Sequence, residues 1–365
     1  MRDDCRPLLS LPWLRHELTQ GARKPLFMVV LVLWACAAVC TEAAPVTTDA
    51  YTSQPLSRIA FGSCNKADKP QPLWQAILQS APQLWIWTGD IIYANTEDMV
   101  LMQQKYAQQK TQPAYQRLLA TCPVIGVWDD HDYGHNNAGK EYPAKQRSQQ
   151  LLLDFLDEPP DSPRRRQRGV YSRYIYGPPG QQIKIILLDT RYHRDLPGPD
   201  GDILGEEQWQ WLEREFKGSA AQLHLIVSSI QVLAKEHSHE KWHNFPRSRA
   251  KLFSLIGKHQ VRGVIFISGD RHFGEISRMT SPQVSYPLYE ITASGLTHSW
   301  HTFKGEPNTF RLGPVYTGLH YGLLVIDWQA SPVTVELQLR DRHNEIQRRA
   351  ILPLPALRAC YALYS

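Results

Sequence analysis

The chain has 365 residues, of which 42% are hydrophobic and 21% are charged, and its formal net charge is +5 at pH 7. This length allows one large domain or two small ones, and the composition is that of a globular protein, not of a disordered chain or a repeat array. The sequence has no basic stripe interleaved with aromatics, so it gives no indication of a nucleic-acid-binding surface. The basic run RRRQR (164–168) is expected to be a solvated loop.

The N-terminal segment has the order of a signal peptide. Arg23 and Lys24 precede the apolar run PLFMVVLVLWACAAVC, and the small residues of TEAAP follow it. The run is shorter than the roughly 20 residues that a bilayer span requires. We therefore predict that residues 1–44 are a signal peptide cleaved near Ala43, with an uncleaved signal anchor as the alternative. The protein would be secreted, periplasmic or in the secretory-pathway lumen, and only an uncleaved leader would contact a membrane.

Three of the six cysteines, Cys64, Cys122 and Cys360, follow this leader. An odd count in an exported protein suggests that one thiol has another role. If that thiol is Cys64, the other two are free to form a disulfide.

Residues 45–57 are predicted to be a linker, 58–345 the main domain and 346–365 a C-terminal tail. Apolar runs typical of buried strands alternate with helix-like segments in the main domain. The strand-like runs are 58–65, 84–90, 123–132, 183–191, 223–229 and 263–272, and the helix-like segments are 70–80, 97–111, 145–157, 206–217 and 246–258. This alternation predicts an α/β fold. The segments 288–295, 320–328 and 333–341 are predicted to be antiparallel strands of a second sheet.

Four of the predicted strands end in candidate metal ligands: Cys64, Asp90, Asp130 and Asp270. Ligands of open α/β sheets gather at the carboxyl ends of strands, so we expect these side chains to converge. Taken singly, each has a structural alternative: a buried core cysteine, an aspartate that caps a helix, or an acidic calcium-binding loop without catalysis.

Two motifs add further candidate ligands. TGDIIYAN offers Asp90 as a bridging carboxylate and Tyr93 as a phenolate, and SGDRHFGE offers Asp270 with His272. The alternative is a core tyrosine and a surface histidine. In the motif DDHD, His131 is a candidate proton donor or phosphate contact, and the acids beside it are expected to favour its protonated form.

Together these residues predict two adjacent metal ions that hold the attacking and leaving oxygens of a phosphoryl transfer. Such a reaction also needs positive charge on the phosphate oxygens. The candidates for that contact are Arg191, Arg247, Arg249 and Arg271, with Asn65 as a polar contact.

The motifs FGSCN, TGDIIY, WDDHD, LLDTR and SGDRH, in this order between Arg58 and Asp327, resemble the alkaline phosphatase D family of PhoD-like metallophosphatases. The resemblance implies a calcineurin-like or purple-acid-phosphatase-like fold: two stacked mixed β-sheets flanked by helices. It also implies an exported phosphomonoesterase or phosphodiesterase that uses ferric iron with calcium, with zinc, manganese or magnesium as alternatives.

Carried over to this sequence, the resemblance implies that Asp90 bridges the metals and that Cys64, Tyr93 and His272 complete the iron side. Asp130 and Asp270 would bind calcium, which prefers oxygen ligands, and His131 would protonate the leaving group. The segment EKWHNFPRSR (240–249) resembles the family's arginine-bearing loop only loosely.

The sequence thus predicts a phosphomonoesterase that works by in-line attack of a metal-bound hydroxide on a small phosphate ester. One alternative is a phosphodiesterase or phospholipase D-like enzyme acting on phospholipids or nucleotides. A second is a catalytically silent metal-binding protein, and a third is a thiol hydrolase that uses Cys64 with His131.

Overall fold

The computed structural model describes residues 54–358, which form two mixed six-stranded sheets flanked by helices. This architecture confirms the predicted fold class. The strands of the first sheet are β1 (Arg58–Gly62), β2 (Leu84–Thr88), β3 (Val124–Val127), β10 (His320–Asp327), β11 (Thr334–Asp341) and β12 (Ile346–Pro353). Their spatial order is β12-β11-β10-β1-β2-β3.

The strands of the second sheet are β4 (Ser172–Tyr176), β5 (Ile183–Leu187), β6 (Leu223–Val227), β7 (Val264–Ser268), β8 (Gly274–Ser281) and β9 (Val284–Ala293). Their spatial order is β4-β5-β6-β7-β9-β8. Four of them, β5, β6, β7 and β9, pair in parallel, while β4 and β8 pair antiparallel to their neighbours at the two edges of the sheet.

Five of the seven α-helices among residues 54–358 lie where the sequence predicts them, with ends that differ by a few residues. They are α1 (Leu73–Gln79), α2 (Met99–Lys110), α3 (Pro113–Leu119), α4 (Asp130–Tyr133), α5 (Lys145–Phe155), α6 (Glu206–Phe216) and α7 (Pro246–Lys258). Asp98 caps α2, because its side chain accepts from the backbone N–H groups of Val100 and Leu101. The short helices α3 and α4 were not predicted.

The core is built from mostly apolar strands that are buried on both faces. All five residues of β2, β5, β6 and β7 are buried, as expected for strands covered on both sides. Beside β2, Trp74, Trp85 and Trp87 pack edge to face with ring centroids 5.1–5.6 Å apart. Large aromatic rings buried in this geometry contribute more than their area alone. The rigid core fixes the strand ends that carry the candidate ligands.

Three sequence-based expectations need correction. The last strands do not form a sheet of their own: β9 joins the second sheet, and β10 and β11 join the first. The predicted tail begins with β12, which pairs with β11 along the edge of the first sheet. In the run RRRQR, Arg164 is buried and donates to the carbonyls of Gly126 and Val170, so it is a structural residue.

The predicted leader and most of the predicted linker lie outside the described residues, as does Cys360. Cys122 is buried, and its pairing with Cys360 stays a prediction. Within residues 54–358, none of the helices has the length and apolarity that a membrane crossing needs.

Candidate active site

Candidate ligands from both sheets meet at one edge of the molecule. Cys64 follows β1, Asp90 follows β2 and Asp130 follows β3, and these three strands are parallel neighbours in the first sheet. Asp270 and His272 follow β7 of the second sheet. The carboxyl ends of parallel strands point to the same edge, so the sheet topology itself brings these residues together.

Four of these residues adopt a backbone conformation that side chains rarely accept. The φ angles are 61° for Cys64, 49° for Asp90, 68° for Asp270 and 56° for His272. Positive φ in a residue other than glycine costs free energy, and such residues cluster where function requires a particular side-chain direction. The backbone at these strand ends therefore bends sharply to present the side chains.

The first group of candidate ligands surrounds the hydroxyl of Tyr93. One ligand atom each of Cys64, Asp90 and His272 lies within 4.8 Å of the others. Cys64 Sγ is 3.6 Å from Asp90 Oδ2, and Tyr93 Oη is 2.9 Å from the same oxygen and 3.1 Å from His272 Nε2. A thiol, a carboxylate, a phenol and an imidazole thus face one point.

The second group consists of Asp90, Asp130 and His131, which again offer ligand atoms within 4.8 Å of one another. Asp130 Oδ2 accepts from the backbone N–H of Asn137 over 2.7 Å, whereas Asp130 Oδ1 is buried without a hydrogen-bond partner. His131 Nδ1 lies 2.6 Å from Asn95 Oδ1, which fixes the ring orientation. Among residues 54–358, Asp90 alone belongs to both groups.

The pKa shifts at this site indicate that it holds more buried carboxylates than the nearby cationic side chains neutralise. Burial, together with the charges of Asp130, Asp129 and Asp132, raises the pKa of Asp90 well above its usual range. Burial and neighbouring acids raise the pKa of Asp270 to about 7, despite the opposing effect of Arg271. Among residues 54–358, neither Asp90 nor Asp270 forms an ion pair with a lysine or arginine. Bound cations would supply the missing positive charge, so the donor set fits metal ions.

Cys64 and Tyr93 are also protonated in the absence of a cation. Burial and the charge of Asp90 raise the pKa of each well above its usual range. A thiol or phenol in such surroundings gives up its proton when it coordinates a metal ion. This raised pKa argues against Cys64 as a free thiolate nucleophile.

His131 does not behave as the sequence suggested. Its pKa is lowered, because the cost of burial and the positive charges of Arg191 and Lys66 together outweigh the attraction of Asp130. The expectation of a protonated His131 is therefore wrong for the protein without bound metal.

One further buried acid, Asp132, holds the backbone that carries the candidate ligands. The Asp132 carboxylate accepts from the backbone N–H groups of Asp129, Ile91 and Asp90 over 2.6, 3.0 and 3.3 Å. These bonds tie the strand end of β2 to that of β3. Asp132 therefore positions Asp90 and does not point into the site.

An open cavity of about 820 Å³ lies in front of these residues. Its wall combines the candidate ligands Asp130, Asp270 and His272 with His131 and with cationic, amide and aromatic side chains. The cationic groups are Arg194 and Arg271, and the other named groups are His239, Asn137, Asn244 and Trp300. Arg271 is only 4% exposed and donates to Glu306 over 2.6 Å, so its guanidinium is held in place.

The structure does not bring the other predicted substrate contacts to this cavity. Arg191 is fully buried, and it bonds Asp129 and Glu240 over 2.8 and 2.6 Å. Arg247 has a side chain that is 78% exposed and pairs with Asp200. Asn65 is buried and donates to Ile91 O and Gln109 Oε1. Arg249 donates to the carbonyls of Val232 and Leu233.

Sequence reasoning missed Arg194, His239 and His298. Arg194 and His239 line the cavity, and His298 Nε2 lies 3.1 Å from Tyr93 Oη. His298 follows β9, so its place after a strand end was a signal that could have been read. The loops that carry Arg194 and His239 gave no such signal.

Comparison with known proteins identifies the family of this chain. A family model described as PhoD-like phosphatase matches residues 59–309. Alkaline phosphatase D of Bacillus subtilis (strain 168) is 22% identical over 227 residues, which cover 51% of this chain and 37% of that protein. The chain thus spans just over a third of the length of this curated relative.

Two solved structures share the fold. A structure of PhoD superposes with a TM-score of 0.66 at 17% identity, covering 85% of this chain and 70% of the other. Purple acid phosphatase PPD1 from yellow lupin (Lupinus luteus) seeds gives a TM-score of 0.60 at 14% identity, covering 82% and 54%. The family match covers more than half of the sequence and includes every candidate ligand. The chain therefore belongs to the PhoD-like phosphatase family.

Proposed function

We propose that this protein hydrolyses phosphate esters with two metal ions that share the Asp90 carboxylate. The observation that carries this proposal is the position of Asp90 in both candidate ligand groups. A carboxylate can bridge two metals about 3.5–4 Å apart, the arrangement used by many phosphatases. Membership of the PhoD-like phosphatase family and the similarity to alkaline phosphatase D of Bacillus subtilis support the same reaction class.

The two groups suit different metals. Cys64, Tyr93 and His272 offer sulfur, phenol oxygen and imidazole nitrogen, a set we assign to ferric iron. Asp130 and Asp270 offer only carboxylate oxygens, which suit calcium. Zinc, manganese or magnesium in either position would keep the same ligand roles.

Metal ions bound here would lower the pKa of a water molecule and neutralise charge on the phosphate. The chain's own residues supply the rest. Asp90 holds the two sites together, and Asp132 holds Asp90 through its backbone N–H. His131 is oriented by Asn95 and lines the cavity, where the negative charge of a bound phosphate would favour its protonated form and let it donate a proton to the leaving oxygen. Arg271, which lines the cavity and is held by Glu306, would contact a phosphate oxygen.

We propose small phosphate monoesters as substrates, with phosphodiesters as the second candidate. The size of the cavity is the reason for keeping the second candidate, because a volume of about 820 Å³ exceeds what a phosphate group alone requires. Arg194, His239 and Trp300 on its wall can contact the second substituent of a diester. Export through the predicted leader is part of the same proposal.

The test is hydrolysis of a nitrophenyl phosphate monoester and of the matching diester before and after chelation. We expect turnover that chelation abolishes and that added metal restores. The ratio of the two rates assigns the ester class. Turnover that survives complete metal removal would contradict the proposal. Turnover lost to a thiol-alkylating reagent but not to a chelator would instead favour the Cys64 hydrolase.

A further inference from the structure

One loop, residues 296–300, contacts the backbone turn that carries Cys64. The backbone N–H of Thr297 donates to Cys64 O over 3.3 Å, and its hydroxyl accepts from the backbone N–H of Lys66 over 2.7 Å. Leu296 N donates to Ser63 O over 3.3 Å. The loop therefore follows the path of the chain just after β1.

The same loop also contacts the turn that carries His272. Trp300 N donates to His272 O over 2.6 Å, and Ser299 Oγ donates to the same oxygen over 2.9 Å. Cys64 and His272 both have positive φ angles, of 61° and 56°. Strained conformations persist only where surrounding contacts hold them. The loop is thus part of the framework of the site, although it contains none of the predicted ligands.

His298 lies between these two anchors and faces Tyr93. Its Nε2 is 3.1 Å from Tyr93 Oη, and its Nδ1 is 3.2 Å from Thr297 Oγ1. Its ring packs edge-on against Tyr93 and His272, with centroids 5.1 and 4.5 Å apart. Both ring nitrogens therefore have a partner, and the imidazole cannot rotate without losing one.

We infer that His298 is a positioning residue that donates a hydrogen bond from Nε2 to the metal-bound phenolate of Tyr93. This inference rests on the proposed function, because Tyr93 becomes a phenolate only when a metal ion is bound. A phenolate oxygen can only accept hydrogen bonds, so the Nε2 atom of His298 must carry the proton. The Nδ1 atom then lies as an acceptor 3.2 Å from the Thr297 hydroxyl, whose single proton is also within reach of Cys64 O at 3.2 Å.

His298 contacts Tyr93 but lies outside the group of candidate ligands. It is not a member of the group that Cys64, Asp90 and His272 form within 4.8 Å. Residues that hydrogen-bond a metal ligand fix its orientation and tune its donor strength. His298 would therefore affect how Tyr93 binds the metal without binding the metal itself.

The test uses the full protein loaded with iron(III) and calcium and follows the phenolate-to-iron charge-transfer absorption band. A donated hydrogen bond lowers the energy of the phenolate lone pairs, so its removal shifts the band to longer wavelength. We expect this shift in His298→Phe with iron content unchanged. His298→Gln, whose amide can replace the Nε2 donor, should keep the wild-type band. His301→Phe makes the same change at an exposed position three residues along and should alter nothing.

An unshifted band in His298→Phe would overturn the inference and leave the proposed function standing, because the wild-type protein would still bind its metals. Loss of iron in both His298 variants would also overturn it, since His298 would then be a direct ligand. A wild-type protein that binds no metal under these conditions would overturn both the inference and the proposed function.

Discussion

Two groups of buried carboxylates lie near the sheet edge that carries the candidate ligands. They differ in the positive charge that is available to neutralise them. In the first group, Asp129 and Glu240 contact Arg191, and Glu240 also contacts Arg194. In the second group, Asp90 and Asp270 have no such partner among residues 54–358, and Asp130 leaves Oδ1 without a hydrogen bond. We call these groups the arginine network and the ligand cluster.

The difference indicates which buried acids are neutralised by arginines of the chain and which require positive charge from bound cations. Buried charges are costly unless they are paired, and the arginine network pairs them within the chain. The ligand cluster lacks this pairing, although Arg191 is near enough to Asp130 to lower its pKa against the effect of burial. The ligand cluster therefore needs cations from outside the chain, and the arginine network provides the rigid wall against which they bind.

The largest expected effect comes from breaking the ligand cluster at its shared residue. Asp90→Asn keeps the shape of the side chain but removes the charge that both candidate ligand groups share. We therefore expect kcat to fall on the order of 10⁴-fold. Steady-state hydrolysis measures this loss, and thermal unfolding checks that the fold survives. Asp200→Asn, an exposed aspartate, is the matched control. Activity within a few-fold of wild type in Asp90→Asn would contradict the shared-carboxylate model.

Breaking the arginine network should instead cost stability. Arg191→Met leaves Asp129 and Glu240 buried without their cation, which we expect to lower the free energy of unfolding by about 3–5 kcal/mol. Denaturant unfolding measures the change. Arg247→Met removes a guanidinium from an exposed pair and should change little. Equal stability of the two variants would show that the network is not a stabilising partner of the site.

A third buried carboxylate, outside both groups, provides a smaller comparison. Glu290 accepts from the backbone N–H groups of Val232 and Leu233 over 2.8 Å each, yet burial raises its pKa from 4.5 to about 7. The raised folded-state pKa means that its stabilising contribution is complete below pH about 4.5 and is lost as the pH rises through about 7.

We expect the free energy of unfolding of the wild type to fall across this window by no more than about 3 kcal/mol from this group. Glu290→Gln cannot ionise, so its pH profile should be flatter over the same range. Denaturant unfolding of both proteins at several pH values makes the comparison. Parallel profiles would mean that Glu290 does not titrate there.

The sequence predicted the ligand cluster better than its surroundings, for a physical reason. Cys64, Asp90, Asp130 and Asp270 each follow a strongly apolar strand, and the parallel pairing of such strands brings their ends to one edge. The prediction that Arg191 contacts the phosphate was wrong because the motif LLDTR does not reveal whether an arginine faces a cavity or a buried acid. His298 was missed although it follows strand β9, because its contact with Tyr93 depends on tertiary hydrogen bonds that the sequence does not reveal. The strand β12 was missed because the edge segment IQRRAILP is broken by charges.

The most direct test of the account is the metal content of the purified protein by elemental mass spectrometry, for the wild type and for Cys64→Ser. Cys64 belongs to one candidate group only. We expect two metal ions per chain in the wild type and selective loss of the iron-side ion in Cys64→Ser. Cys122→Ser, which changes a buried cysteine outside both candidate groups, should retain both ions. A wild type that binds no metal, even after reconstitution, or a Cys64→Ser variant that keeps both ions would contradict a two-metal site arranged around Asp90.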